Sequence, residues 1–399
     1  MNVAGRFHLS YCSNIHPGET WHEVSSALTA ALPRVRQLVG FKGPFAIGLR
    51  LSAQAAETLE SPATLQAFQD FLREGDYYVL TINGFPYGAF HGQRVKEQVY
   101  LPDWRDEARV EYADRLARLL AALLADRPDI EGSVSTVPGA FRTEVSGEED
   151  VVAMATRMLR HAATLVRLRQ QTGRTITLAI EPEPACFIET VDDAIRFFRE
   201  RLFDTGLIGR VAHDTGVTMT ADDVRRHVGL CFDACHMAVE FEDPRTALQR
   251  LREAGIRVCK VQISSALRVQ SNDATAVQAL VPFAEGTYLH QVVERSASGL
   301  RRYVDLPDAL TARTADPVVN SAEWRVHFHV PIFLSAMNAF ETTQADLAAV
   351  IDALKHDPAC PYLEVETYTW DVLPSEYRTS DVCTAIAREL TWVRTRLEA

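Results

Sequence analysis

Five side chains that bind metals or move protons stand at or just beyond short apolar segments: Glu181, Asp233, His236, His329 and Glu366. An ionised carboxylate beside an apolar strand is costly unless it is paired or bound to a metal. Three such carboxylates at one point would repel each other, and a divalent cation would relieve that repulsion. Carboxylates with one or two imidazoles suit Mn²⁺, Zn²⁺, Mg²⁺, Co²⁺ or Fe²⁺. We therefore predict a divalent-metal site, the alternative being helix caps, arginine pairs and a core histidine.

Further polar residues end or follow other apolar segments and are candidates for binding a substrate. They are His8, Asn14, His16, Asn83, Lys260, Gln262 and His327. Lys260 is either a catalytic or substrate-holding lysine or one half of an ion pair inside the fold. His8 and His16 have a structural alternative as well. In the H-x-H of VHFHVP, either His327 or His329 is expected to bind the metal while the other packs, or both are structural.

Eight short apolar or β-branched segments alternate with amphipathic helical patterns. They are Arg6–Tyr11, Phe45–Leu51, Tyr77–Ile82, Ile130–Ser135, Thr175–Ile180, Val228–Phe232, Val258–Ile263 and Leu363–Thr367. Near-continuous apolar strands are typical of a parallel sheet that is buried on both faces. We predict one (β/α)8 TIM barrel over residues 1–399, with the polar residues at the C-terminal mouth of the strands, where barrel active sites form. Glu364 is expected on the opposite face from Glu366.

Helix start signals and two long connections complete this organisation. Start signals are expected at Ser61-Pro62, Thr190, Thr220, Asp243-Pro244 and Thr343. One insertion follows the third strand, over Asn83–Trp104, and is rich in aromatic residues and glycine. A longer one follows the seventh strand, and its residues 265–325 are expected to form a loop or subdomain that covers the mouth.

Composition limits the function classes. The formal net charge of −12 argues against nucleic acid as a partner, because phosphate contacts need clustered Lys and Arg. Seven cysteines without a secreted-type framework indicate reduced thiols and a cytoplasmic location. No apolar segment is long enough to span a membrane, and the first residues do not have the order of a signal peptide.

The ordered set of polar residues resembles the xylose-isomerase-like TIM-barrel superfamily. The resemblance implies that the strand-five Glu, strand-six Asp and strand-eight Glu, here Glu181, Asp233 and Glu366, hold a divalent metal. Asp233-Ala-Cys-His236 reproduces the D-x-x-H of that group. The strand-seven position, usually His, is Gln262, whose carbonyl is a weaker ligand. We expect His329, from the following insertion, to replace it, as endonuclease IV proteins draw ligands from that loop.

Within that superfamily, phrases spread along the whole chain resemble the EboE-type metabolite traffic proteins. These phrases are HLSYCSNIHPGETW, TINGFPYGAFHG, VKEQVYLPDW, VSTVPGAFR, AIEPEP, FDACHMAVEFE, VQISSAL and HFHVPIF. The resemblance implies a cytosolic product of a small operon with prenyltransferase-like and cyclitol-type enzymes. It also implies operon-encoded protein partners and a role in moving a secondary-metabolite precursor. It implies no particular reaction.

Three functions are compatible with these residues. The first is a metal-dependent isomerase, epimerase or dehydratase acting on a sugar, polyol or cyclitol. There Glu181 or Glu366 moves a proton between carbons, and His236 binds a hydroxyl or stabilises an enediolate. The second is a non-catalytic metabolite carrier, which Gln262 in place of His would favour. The third is an endonuclease IV-like phosphodiesterase, which the acidic charge balance disfavours.

Overall fold

Eight parallel strands close into a barrel in the computed structural model, which describes residues 1–315, 322–378 and 380–399. The strands are β1 (Phe7–Tyr11), β2 (Phe45–Arg50), β3 (Tyr77–Asn83), β4 (Gly132–Thr136), β5 (Ile176–Ile180), β6 (Val228–Asp233), β7 (Val258–Ile263) and β8 (Tyr362–Val365). Each strand from β2 to β8 pairs in parallel with the next, and β8 pairs with β1. A parallel bridge between Cys12 and Gly48 joins β1 to β2 and closes the ring. The predicted barrel is confirmed.

The strands form where the apolar segments lie, and their ends differ from the predicted ones by no more than two residues. Almost every strand residue is buried, because the barrel interior covers one face and the helices cover the other. A short strand, Asn2–Val3, adds to the start of β1 in antiparallel pairing. Since all eight strands point the same way, their carboxyl ends meet at one mouth.

Helices follow the strands and carry most of the predicted start signals. Thr190 and Thr220 form capping boxes, and the Asp243 side chain accepts from Thr246 N. Ser61 and Thr343 precede their helices without capping them through the side chain. The α-helices are Trp21–Val39, Ala53–Leu59, Pro62–Glu74, Glu107–Leu123, Glu148–Thr172, Val191–Phe197, Thr205–Thr215, Ala221–His227, Ala234–Val239, Pro244–Glu253, Ala274–Ala279, Leu306–Ala315, Gln344–His356 and Val382–Glu398. In the part of the chain that the structure describes, no helix has both the length and the apolar character needed to cross a membrane.

The long connection after β7 builds a second sheet rather than an irregular loop. Its strands, in spatial order, are Gly299–Tyr303, Val292–Ser296, Glu323–Val326, Leu267–Gln270, Phe340–Thr342 and Ala336–Met337, all antiparallel. The sheet therefore extends past the predicted covering segment 265–325. Residues 316–321 of that segment lie outside the described residues.

The two insertions meet at the mouth of the barrel. The insertion after β3 contains a 3-10 turn, Lys96–Tyr100. The backbone N–H groups of Val95 and Lys96 donate to Thr287 O in the insertion after β7, at 2.8 and 3.0 Å. The Lys96 ammonium, which is buried, also lies 2.6 Å from the Asp305 carboxylate. These contacts hold both insertions beside the polar ends of the strands.

Candidate metal centre at the carboxyl ends of the strands

Three carboxylates meet at the mouth. Glu181 directly follows β5, Asp233 ends β6, and Glu366 directly follows β8. One oxygen from each lies within 4.8 Å of one oxygen from each of the others. All three residues are buried, with at most 4% of their surface exposed. The structure thus brings together the three carboxylates that the sequence singled out.

The carboxylate cluster, Glu181, Asp233 and Glu366, lacks a matching positive charge. Among the described residues, no Lys or Arg nitrogen lies within 4.0 Å of any of them. Glu181 Oε2 and Asp233 Oδ2 have no hydrogen-bond partner. Burial, followed by the charges of Glu366 and Asp233, raises the pKa of Glu181 well above its usual range. Burial, followed by Asp233 and Glu364, does the same to the pKa of Glu366. A divalent cation fits this donor set, because it would supply the missing charge and occupy the free oxygens.

Neutral donors hold one oxygen of two of these carboxylates in place. Asn14, on a 3-10 turn after β1, and Asn83, the last residue of β3, each donate from Nδ2 to Glu366 Oε1 at 2.8 Å. The Ser264 hydroxyl donates to Asp233 Oδ1 at 2.8 Å. Asn14 and Asn83, predicted to bind substrate, thus lie in the site and orient a carboxylate. Ser264 follows β7 and was not among the predicted site residues.

His329 lies beside the carboxylate cluster. Its Nδ1 is 2.9 Å from Glu366 O, which can only accept, so Nδ1 carries the hydrogen and Nε2 the lone pair. That Nε2 is buried without a partner. Burial lowers the pKa of His329 to about 4, which keeps it neutral. A ring nitrogen of His329 lies within 4.8 Å of ligand atoms of Asp233 and His236, but His329 is not within that distance of all three carboxylates.

Two further histidines stand next to the carboxylate cluster. His236 Nε2 and His327 Nε2 are 3.1 Å apart, and both rings are buried. Glu183 offers a carboxylate oxygen within 4.8 Å of ligand nitrogens of both, and it accepts from the Tyr100 hydroxyl at 2.8 Å. Glu183 and Tyr100 were not predicted. The motif AIEPEP carried a signal for Glu183, because it repeats the Glu of Glu181 two residues later.

Lys260 and Glu364 form an ion pair inside the barrel. Their charged atoms are 2.5 Å apart, and each side chain is 1% exposed. The structure therefore shows Lys260 in the ion-pair arrangement that the sequence left open. The expectation that Glu364 faces away from Glu366 is wrong. Residues two apart on a strand share a face, and ligand atoms of Glu364, Glu366 and Cys12 lie within 4.8 Å of one another.

Gln262 does not join the carboxylate cluster. Its Oε1 accepts from the Cys231 thiol at 3.1 Å, and its Nε2 has no hydrogen-bond partner among the described atoms. A residue at this position of β7 faces the barrel interior, next to Asp233 and Glu364 in the strand register. Where the resemblance expects a histidine ligand, Gln262 therefore contacts Cys231.

Two predicted substrate residues lie elsewhere. His8 Nδ1 contacts the Tyr78 hydroxyl at 2.9 Å, and its backbone pairs with Tyr362, the first residue of β8. His8 is therefore at the amino ends of the strands, far from the mouth. His16 is at the correct end, but its Nε2 contacts the Tyr11 hydroxyl at 3.2 Å and its ring does not line the central cavity.

A narrow cavity of about 50 Å³ connects these groups. Its polar wall comes from the ends of the strands and the histidines, and the rest of its lining comes from the two insertions and the turn after β8. The polar residues are Asn14, Asn83, Glu181, Glu183, His236, His327 and Glu366, and the others include Phe90, Lys96, Tyr288, Leu289 and Tyr368. The cavity has room for a few water molecules or an ion.

The comparisons with known proteins identify the fold. A xylose isomerase-like TIM barrel protein from Mycobacterium smegmatis, solved in complex with magnesium, is similar in structure. The TM-score is 0.50 at 14% identity, covering 100% of this chain and 99% of that one. This chain has the xylose-isomerase-like TIM-barrel fold. No protein-family model matches the chain, and no curated protein is significantly similar to it in sequence.

Two other solved structures are similar at lower scores. D-psicose 3-epimerase from Clostridium cellulolyticum H10, solved with D-tagatose, has a TM-score of 0.49 at 10% identity, covering 98% of this chain and 100% of that one. The IolI protein, solved with a zinc atom, has a TM-score of 0.46 at 12% identity, covering 98% of both chains. The assignment of the fold therefore depends on the Mycobacterium smegmatis structure and on the strand topology.

Proposed function

We propose that this protein is a divalent-metal-dependent isomerase, epimerase or dehydratase acting on a sugar, polyol or cyclitol. The carboxylate cluster is the observation that carries the proposal. Three buried carboxylates converge, no Lys or Arg nitrogen among the described residues lies within 4.0 Å of them, and the ammonium of Lys260 is paired with Glu364. Glu181, Asp233 and Glu366 would hold the ion, with His329 at the edge of the site. Mn²⁺, Zn²⁺, Mg²⁺ and Co²⁺ all suit these ligands.

The bound ion would polarise a substrate carbonyl and its neighbouring hydroxyl. The chain's own groups would then move protons. Glu181 and Glu366 both line the cavity, where a carboxylate can accept a proton from the substrate and return it. His236 lines the cavity and would bind a hydroxyl of the substrate. His327 would serve the same purpose, and Asn14 and Asn83 would keep Glu366 oriented.

Elemental analysis of the purified protein tests the metal, and a panel of sugars, polyols and cyclitols tests the turnover. We expect a stoichiometric divalent metal, a melting temperature that falls on EDTA treatment, and turnover that Glu366→Gln abolishes. His8→Gln is the matched control, because it changes a partly buried histidine at the far end of the strands. The proposal would be contradicted if the purified protein held no metal and its melting temperature did not change on addition of EDTA.

A non-catalytic metabolite carrier is the second candidate. Gln262 favours it, because this residue stands where the resemblance expects a histidine ligand and its Oε1 accepts from the Cys231 thiol. Under this alternative, calorimetry detects binding of a polyol or cyclitol while no product forms, and Glu366→Gln weakens binding only.

A more specific role, the traffic of a secondary-metabolite precursor, follows from the resemblance to the EboE-type proteins. It places the protein in the cytoplasm, where it would serve the traffic of a secondary-metabolite precursor together with operon-encoded partners. Seven unpaired, buried cysteines support a reducing compartment. Co-purification with the products of neighbouring genes tests the partners, and a secreted, disulfide-bonded form would contradict the location.

A further inference from the structure

An open groove lies on the outer surface of the barrel. It runs along the last helix, Val382–Glu398, beside the end of the helix Trp21–Val39 and the segment that contains Phe333. Among the described residues, none lines both this groove and the central cavity. The groove has a volume of about 560 Å³, which is within the range of pockets that bind small molecules.

The floor of this outer groove is apolar. Leu38 is 49% exposed there, and the rings of Phe333 and Trp392 are partly buried. The threonines of the last helix add little polarity, because their hydroxyls bond to their own helix. Thr391 Oγ1, for example, donates to Ala387 O at 2.7 Å. A concave apolar floor with a few polar groups at its border is typical of a ligand site.

Two guanidiniums border the floor. Arg388 Cζ lies 3.8 Å from the centroid of the Phe333 ring, and Arg396 Cζ lies 4.2 Å from the centroid of the Trp392 ring. Among the described residues, neither guanidinium has a carboxylate within 4.0 Å or a hydrogen-bond acceptor. A guanidinium that stacks on a ring keeps its N–H groups, which lie in its own plane, available for an anion.

These two positive charges stand in a chain that has an excess of acidic residues. It carries 53 Asp and Glu against 41 Lys and Arg, and a surface arginine such as Arg160 pairs with Glu107 at 2.7 Å. Arg396 stands in the last turn of its helix, where a cation offsets the partial negative charge of the helix end. Arg388 lies about two turns earlier, beyond the reach of that effect. The fold therefore gives Arg388 no anionic partner of its own.

We propose that the outer groove binds an amphipathic carboxylate, a small molecule whose apolar chain ends in a carboxylate group. The carboxylate accepts two N–H groups from Arg388, because the planar fork of a guanidinium matches the two oxygens of a carboxylate. The apolar chain lies on the floor beside Trp392 and extends toward Arg396, which is about 12 Å from Arg388 along the helix axis. This inference does not rest on the proposed function, since the groove and the mouth are separate sites.

A second copy of the chain is the competing occupant of the groove. In a two-fold symmetric dimer the same patch of both copies meets itself. No Asp or Glu among the described residues lines this groove, so Arg388 of each copy would meet no carboxylate there. An anion from outside the chain complements the groove better.

Isothermal titration calorimetry of the full chain with decanoate tests the proposal. Decanol and decyltrimethylammonium have the same chain length without the negative charge, and all three are used below the concentrations at which they aggregate. We expect saturable binding of decanoate, at least tenfold weaker binding of decanol, and none of decyltrimethylammonium. Arg388→Gln should weaken decanoate binding by about tenfold, the usual loss for a hydrogen bond to a charged group. Arg394→Gln is the matched control on the same helix, because its guanidinium donates to Val39 O outside the groove.

Tryptophan fluorescence locates the bound molecule. The structure describes all five tryptophans, and of these Trp392 alone lines the groove. Decanoate should therefore change the emission of the wild type, and this change should disappear in Trp392→Phe. Circular dichroism confirms that each variant is folded.

Several results would overturn the proposal. One is the absence of saturable decanoate binding, and another is an equal affinity of the wild type and Arg388→Gln. Binding that Glu366→Gln loses and Arg388→Gln keeps would place decanoate at the mouth of the barrel. A dimer in sedimentation that Leu38→Asp separates would assign the groove to a second copy of the chain. None of these results bears on the metal content that tests the proposed function.

Discussion

Two layers of charged side chains inside the barrel differ in how their carboxylates are neutralised. In the deeper layer Glu364 has Lys260 at 2.5 Å, so the chain supplies its own cation. At the mouth, one residue layer higher, Glu181, Asp233 and Glu366 share no such partner within the described residues. Both layers are equally buried. The deep pair is thus neutralised within the chain, whereas the mouth carboxylates fit the external ion that we propose for them.

A further buried carboxylate is neutralised in another way. Glu389, on the helix Val382–Glu398, accepts from the Thr367 hydroxyl at 2.7 Å and from Ile332 N at 3.2 Å. Burial raises its pKa to about 7, so below that pH a proton, and not a cationic side chain, neutralises it. The same barrel thus uses a lysine and a proton for two of its buried carboxylates, and the metal ion that we propose would supply the charge at the mouth. Substitutions can change each of these means of neutralisation separately.

The largest expected effect comes from Lys260→Met. It leaves Glu364 charged and unpaired in the interior, and breaking a buried ion pair from one side costs about 3–5 kcal/mol. Burial alone opposes the ammonium charge, but Glu364 outweighs it and raises the pKa of Lys260, so the pair is ionised. Urea unfolding measures the loss. The metal content of the folded variant should stay unchanged.

The double variant Lys260→Met with Glu364→Leu is the matched control. Replacing both halves of a buried pair with apolar groups is often close to neutral, so most of the lost stability should return. A single Lys260→Met variant that keeps its stability but loses its metal would place Lys260 in the site and remove the distinction between the two layers.

The second prediction concerns pH and Glu389. Its pKa is raised on folding, so the stability that the neutral form contributes is present below its usual range and is lost as pH rises through about 7. Glu389→Gln has no proton to lose. The free energy of unfolding of Glu389→Gln, relative to that of the wild type, should therefore rise by about 2 kcal/mol between about pH 5 and pH 8, as measured by urea unfolding. Glu398→Gln, an exposed change on the same helix, should show no such trend.

The sequence predicted the strands and the carboxylate cluster because both depend on local rules. Apolar segments form buried strands, and the carboxyl ends of parallel strands meet at one edge. Glu181, Asp233 and Glu366 could therefore be placed together before any coordinates. Strand alternation, applied correctly, would also have put Glu364 on the same face as Glu366.

The contacts around His236 and His327 could not be predicted in the same way. Gln291 and His327 belong to the insertion after β7, and Tyr100 belongs to the insertion after β3. Gln291 contacts Glu183 across more than a hundred residues of sequence. No hydrophobic periodicity predicts a contact between two insertions. The second sheet also decides which of the H-x-H imidazoles faces which group, and single-strand alternation does not contain that information.

The third prediction addresses the close approach of Gly48 to the deep pair. A Cβ atom at Gly48 would lie 1.6 Å from Glu364 Oε1, so the carboxylate would have to move away from Lys260. Gly48→Ala should cost about 1–3 kcal/mol, the usual cost of overpacking a tight interior. Gly209→Ala is the control, because nothing lies within 4 Å of its Cβ position. Equal melting temperatures for both variants would mean that the pair tolerates displacement.

The smallest expected effect comes from Glu366→Gln in the metal-free protein. The amide cannot ionise, so the variant avoids the cost of holding a charge at position 366, and its carbonyl can still accept from Asn14 and Asn83. We expect the metal-free variant to be more stable than the metal-free wild type by about 1 kcal/mol, as is common when a strained functional site is relieved. With saturating Mn²⁺ the order should reverse, because the wild type gains binding energy that the variant has lost. Melting temperatures of the variant and the wild type, each measured with EDTA and with Mn²⁺, show which of the two proteins is more stable in each state. A metal-free variant less stable than the wild type would show that the chain already compensates the charge at the mouth, as it does in the deeper layer.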